Sequence, residues 1–141
     1  MAREGAILFQ RLVRSGNDGE FSERSTMIKR AEQQTLETRT NMRGGTGTIA
    51  FRHYFTKDEM QAPCRLFAQI TIPPEGSIGL HEHLNEDEVY IVQQGRGMLI
   101  DGDREIAVSA GDAILTGNGA SHAVRNSGSE DLVILAVIVQ Y

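Results

Sequence analysis

Residues 79–95 read Gly-Leu-His-Glu-His-Leu-Asn-Glu-Asp-Glu-Val-Tyr-Ile-Val-Gln-Gln-Gly, with His81 and His83 two apart and Glu88 five residues further on. On an extended strand, residues two apart project from one face, so both imidazoles can converge on a single point. A metal ion is the usual reason for such convergence, and neutral imidazoles joined by a carboxylate suit divalent transition metals. Two imidazoles and one carboxylate leave the ion short of a ligand, which the rest of the chain must supply. Glu82 lies between the histidines and must point away from them. Glu86 and Asp87 precede Glu88 and read as an ordinary solvated acidic loop, with a general base there as the other reading.

The elements that must position these residues are short strands. Residues 46–55 alternate, with Ile49, Phe51, His53 and Phe55 on one face. Residues 65–72 form the next strand, closed by Pro73-Pro74-Glu75-Gly76. Strands follow at 78–83 and 88–92. Residues 98–100 and 105–108 flank Asp101-Gly102-Asp103, a hairpin signal. Further strands are expected at 113–115 and 121–125. Residues 132–139 are eight consecutive apolar residues, as in a strand buried on both faces. Residues 27–41 read as an extended lead-in, and Arg43-Gly-Gly-Thr-Gly as a turn, since it lacks the Lys-Ser/Thr ending of a phosphate loop. Short strands, turns rich in Gly, Pro, Asn and Asp, and no long helical period predict an all-β sandwich or barrel with little helix.

Composition narrows the function classes. With 141 residues, 40% hydrophobic and 23% charged, the chain suits one soluble domain with its own core. A net charge of −5 with scattered basic residues excludes a nucleic-acid footprint. No apolar run reaches the roughly 18 residues of a membrane span, and the first residues lack a signal peptide's apolar segment and cleavage site. A lone cysteine, Cys64, fits a reducing compartment, so cytoplasmic localisation is expected. Residues 1–26 differ in character from the remainder of the chain and are read as an N-terminal arm, with residues 27–141 as the domain.

The second half contains Gly111-Asp-Ala-Ile-Leu-Thr-Gly117-Asn-Gly119-Ala-Ser-His122-Ala-Val-Arg-Asn126. Together the two stretches resemble the paired motifs of the cupin superfamily. In the first, G-x5-H-x-H-x(3,4)-E-x6-G, the matches are His81, His83, Glu88 and Gly95; in the second, G-x5-P-x-G-x2-H-x3-N, they are Gly111, Gly119, His122 and Asn126. Glu75 stands where the first motif begins with glycine, and Gly117 where the second has proline; both are turn positions outside the ligand set. The likeness covers residues 65–141 with specific motifs.

This resemblance implies a cupin double-stranded β-helix, a jelly-roll-like β-barrel. It implies a metal held by His81, His83, Glu88 and His122 at the barrel mouth, with positions left open for water or substrate. Manganese or iron is favoured, and nickel, zinc, cobalt and copper suit the same ligands. A metal-dependent enzyme acting on a small oxygen-rich molecule, a carboxylic or sugar acid, is the leading expectation, by isomerisation, lyase chemistry, decarboxylation or dioxygenation. A non-catalytic module that binds or senses such a ligand is the alternative.

Tyr90 and Val92 share the face of Glu88, so Tyr90 is a catalytic candidate as a hydrogen-bond donor, against its reading as an amphipathic wall residue. Arg65, Phe67, Gln69 and Thr71 alternate with Leu66, Ala68, Ile70 and Ile72; if the polar set faces the cavity, Arg65 is a second candidate, able to grip a carboxylate. His53 reads as a packed core or rim residue, with a pocket role as the other reading. A homodimer is expected from the apolar closing strand and the apolar patch of the arm.

Overall fold

The structure, a computed structural model, describes residues 26–141. The chain divides into two compact units, Met1–Gln33 and Gln34–Tyr141. Of the first, the described residues form a single 3-10 turn, Ala31–Gln33, where the Arg30 amide donates to Gln33 Oε1 at 2.8 Å. The arm expected at residues 1–26 lies, apart from Thr26, outside the described residues.

The second unit holds ten strands: β1 (Thr35–Thr40), β2 (Thr48–His53), β3 (Cys64–Ile72), β4 (Ser77–Glu82), β5 (Glu86–Gln94), β6 (Arg96–Asp101), β7 (Arg104–Ser109), β8 (Ala113–Gly117), β9 (Ser121–Asn126) and β10 (Leu132–Gln140). They form two antiparallel sheets, ordered β1-β2-β3-β10-β5-β8 and β4-β9-β6-β7, as the all-β double-stranded β-helix expectation requires. The described residues contain no α-helix, and among them none is long and apolar enough to cross a membrane. Gly102 begins the two-residue turn closing the β6–β7 hairpin, with Asp101 opposite Arg104 and a φ of 60° that fits its strand twist.

Alternation places the core between the sheets. Ile70, Ile134 and Tyr90 from the larger sheet meet Ile78, Leu99 and Val124 from the smaller one, all buried. Strand β10 lies between β3 and β5, and its inward set, Leu132, Ile134, Ala136 and Ile138, is sealed. The expectation that this strand is buried on both faces is corrected: Val133, Leu135 and Val137 face outward and are partly exposed. A run of apolar residues carries no period of its own, so the sequence could not reveal that its two faces differ in burial. The face of β3 is decided as well, with Ala68, Ile70 and Ile72 inward and Gln69 and Thr71 outward.

Register shifts interrupt three of the strand pairings, and the one on β4 changes which side chains face inward. Between Ile78 and His81, β4 advances three residues while β9 advances two, from Val124 to His122. Strict alternation would put Ile78 and His81 on opposite faces; the extra residue lets both turn inward and leaves Leu80 64% exposed. Gly79 sits in this bulge against the Met42–Gly44 turn, where a Cβ would run into the Arg43 carbonyl oxygen. On β3, Leu66 opposes Ile138 and Cys64 opposes Val139, so Arg65 is the extra residue.

Candidate metal centre

Three strands and a loop deliver the four residues. His81 is the penultimate residue of β4, His83 follows on the connection to β5, Glu88 lies in β5, and His122 in β9. His122 is directly opposite His81, and the His83 backbone is clamped to the turn before β9, its amide donating to Ala120 O (3.0 Å) and its carbonyl accepting from Gly119 N (2.9 Å). One nitrogen from each imidazole and one oxygen of Glu88 lie within 4.8 Å of one another. His122 Nε2 is 3.2 Å from both His83 Nε2 and His81 Nε2 and 2.8 Å from Glu88 Oε2. Glu88 Oε2 is 2.8 Å from His83 Nε2 and 3.7 Å from His81 Nε2. Neighbouring ligands around a six-coordinate ion, with bonds of about 2.1 Å, lie about 3.0 Å apart; most of these separations match that spacing.

The other nitrogen of each ring decides what the cluster can hold. His81 Nδ1 lies 2.8 Å from Gly79 O, which can only accept, so it carries the proton. His83 Nδ1 lies 2.8 Å from Glu86 Oε1, and His122 Nδ1 2.9 Å from the Thr116 hydroxyl, which is able to accept. With protons on Nδ1, the three Nε2 atoms present lone pairs to one another and to a carboxylate oxygen. Such an arrangement repels itself unless a cation or shared protons fill it. His83, Glu88 and His122 are buried, which sharpens the demand.

The electrostatics agree. Burial pushes the Glu88 carboxyl up, but with protons on the facing imidazole nitrogens, hydrogen bonding from His122, His81 and His83 outweighs it and holds the group well below the usual carboxylate range. The hydrogen bond to Glu88, aided by Glu86, raises His83 against the effect of burial. The Arg65 guanidinium holds Glu86 down. Burial, followed by the nearby Glu88 charge, drives Tyr90 well above its ordinary value, so its hydroxyl stays protonated.

The other sequence candidates occupy distinct places. Tyr90 is fully buried and stacks on the His122 ring, centroids 5.0 Å apart. Arg65 stands behind His83: its Nε and Nη2 donate to Glu86 Oε2 (2.9 Å) and Oε1 (2.7 Å), with the side chain 41% exposed. His53 is a rim residue, stacked on Phe51 with Nε2 2.8 Å from Glu37 Oε2. Glu86 corrects the reading of a solvated loop: it begins β5, is 7% exposed, and orients His83. Its parity with Glu88 could have revealed this, since residues 86, 88 and 90 share a face. Thr116 left no sequence signal; its place opposite Glu88 arises only from the pairing of β8 with β5.

Comparison with known proteins bears on this geometry. A cupin domain model matches residues 68–138. An oxalate-binding protein of Thermotoga maritima is 39% identical over 119 residues, spanning 84% of this chain and 98% of that protein. The crystal structure of a predicted oxalate decarboxylase from Thermotoga maritima superposes with a TM-score of 0.77 at 39% identity, over 82% of this chain and all of that one. A crystal structure from Thermus thermophilus is 25% identical with a TM-score of 0.57, over 65% of this chain and 83% of that one.

Proposed function

This chain belongs to the cupin domain family, and from that membership and the converged ligand atoms we propose that it binds a small dicarboxylate of the oxalate class at one divalent transition metal. His81, His83, Glu88 and His122 hold the metal, manganese or iron in the favoured case. The observation that carries this reading is the set of three Nε2 atoms whose rings are each anchored through Nδ1. When bound, the metal supplies Lewis acidity to a chelating carboxylate. Four protein ligands leave coordination positions open for the two oxygens of an oxalate. The ligand class is proposed from the 39%-identical oxalate-binding relative.

Turnover of the bound acid, with decarboxylation foremost, is the second reading. It is favoured by Tyr90, whose protonated hydroxyl lies on the face of β5 that carries Glu88. In this role Tyr90 donates a hydrogen bond and packs His122, and does not act as a base. Cytoplasmic residence is part of the proposal.

Two copies are proposed to pair through the outer face of the larger sheet. Leu115, Val89, Val137 and Phe67 form one cross-strand row, and Ala113, Ile91 and Leu135 the next. Leu115 is 69% exposed, and a contiguous apolar surface of this kind marks an interaction site.

The test is metal analysis of protein stripped with chelator and reloaded with manganese(II) or iron(II), followed by calorimetric titration with oxalate and assay of formate and carbon dioxide. One metal per chain with oxalate binding is the expected result. Formate release would establish the second reading, and failure to retain any divalent metal would refute both.

A further inference from the structure

The three histidines are anchored by chemically different partners. His81 leans on a backbone carbonyl and His122 on a hydroxyl, both neutral, whereas His83 leans on the Glu86 carboxylate. An anionic acceptor fixes the tautomer of the ring and also raises its basicity as a ligand. Glu86 is 7% exposed and receives a two-pronged grip from Arg65, whose far side remains open to solvent. Arg65 stands on β3 opposite the Ile138–Val139 step, where the pairing with β10 shifts register.

We propose that Arg65 and Glu86 are a charge-setting pair behind His83: Glu86 tightens the site's hold on the cation, and Arg65 returns the positive charge that draws an anion to the loaded site. The inference rests on the metal-site reading above. A divalent ion is neutralised by Glu88 and Glu86 together, so Arg65 leaves the loaded cluster with one net positive charge for a dicarboxylate. Glu86 also isolates Arg65 from the ligand atoms, so Arg65 is a positioning and charge residue and not a catalytic one. The two side chains therefore act on cation and anion in opposite directions, a signature that damage to the fold does not produce.

The experiment measures manganese(II) affinity of stripped protein and oxalate affinity of manganese-saturated protein for the wild type, Glu86→Gln, Arg65→Gln and Arg65→Lys. Glu86→Gln keeps an oxygen for the His83 proton but loses the charge; manganese should bind at least about 10-fold more weakly, while oxalate binds the saturated site more tightly. Arg65→Gln should weaken oxalate roughly 3- to 10-fold, the range of a partly screened charge, without weakening manganese. Arg65→Lys should restore oxalate binding. Equal losses of both affinities in both variants, or no change in either, would overturn the pairing. If Glu86→Gln does not fold by circular dichroism, the exposed Arg65 variants decide the question alone. Wild-type protein that takes manganese but not oxalate would refute the ligand class, leaving the manganese affinities to decide the role of Glu86. Wild-type protein that takes no metal would refute both this inference and the function it rests on.

Discussion

Gly79→Ala should weaken the metal centre without touching a ligand. The added Cβ would meet the Arg43 carbonyl oxygen, with the Arg43 carbonyl carbon at 2.8 Å and the Gly45 nitrogen at 3.0 Å. All three are backbone atoms, and non-bonded carbon contacts relax only near about 3.5 Å, so the turn or the strand must move by roughly 1 Å. The turn has little freedom to yield, because Asn41 (φ 53°) and Arg43 (φ 55°) already occupy the left-handed region and Thr46 is tied to Ser77 by two hydrogen bonds. Overpacking of this kind costs roughly 1–3 kcal/mol, a fall in melting temperature of about 3–10 °C for a chain of this size. Gly79 O also orients His81, so movement of β4 displaces a ligand, and manganese affinity should fall by about 10-fold or more, as when a ligand's supporting partner is lost. Calorimetric melting of the metal-free protein and manganese titration read the two effects separately. A lower melting temperature with unchanged affinity would mean that the turn yields and the strand does not, refuting the coupling; no change in either would refute the packing itself.

Glu88→Gln should abolish stoichiometric metal retention, read by elemental analysis after dialysis, since it removes the only anionic ligand of the four. Adding manganese at about 1,000 times its dissociation constant should stabilise the wild type by about 4 kcal/mol, visible in chemical denaturation and reversed by chelator. The metal-free protein should be most stable in a mildly acidic window. The raised His83 contributes stability fully below its unfolded value of about 6.5 and loses it as pH rises through the folded value, whereas the depressed Glu86 and Glu88 contribute above about 4.3 and lose it as pH falls. Denaturation curves should therefore peak between those limits, and saturating metal should remove the decline on the alkaline side; a metal-free protein more stable at pH 8 than at pH 6 would contradict this. Leu115→Asp should give a species of half the wild-type mass in sedimentation; an unchanged mass would remove the outer face as the pairing surface.

The all-β class, most strand positions and the four residues that converge in the cluster were legible in the sequence, because strand alternation and residue spacing are local and leave a period-two trace. The parity of Glu88 and Tyr90 was equally legible. Which residues stand behind the clustered histidines depends on strand pairing and turns. Glu86 meets His83 through a turn of the chain, Thr116 reaches His122 through the pairing of β8 with β5, and Gly79 orients His81 from within a bulge. Arg65 was legible as a cation but not as the partner of Glu86, since the two stand on different strands 21 residues apart in the chain. The outward face of β10 was hidden for a related reason: eight apolar residues look the same whether one layer covers them or two. Register and layer number are properties of strand pairs and sheets, and no single strand encodes them.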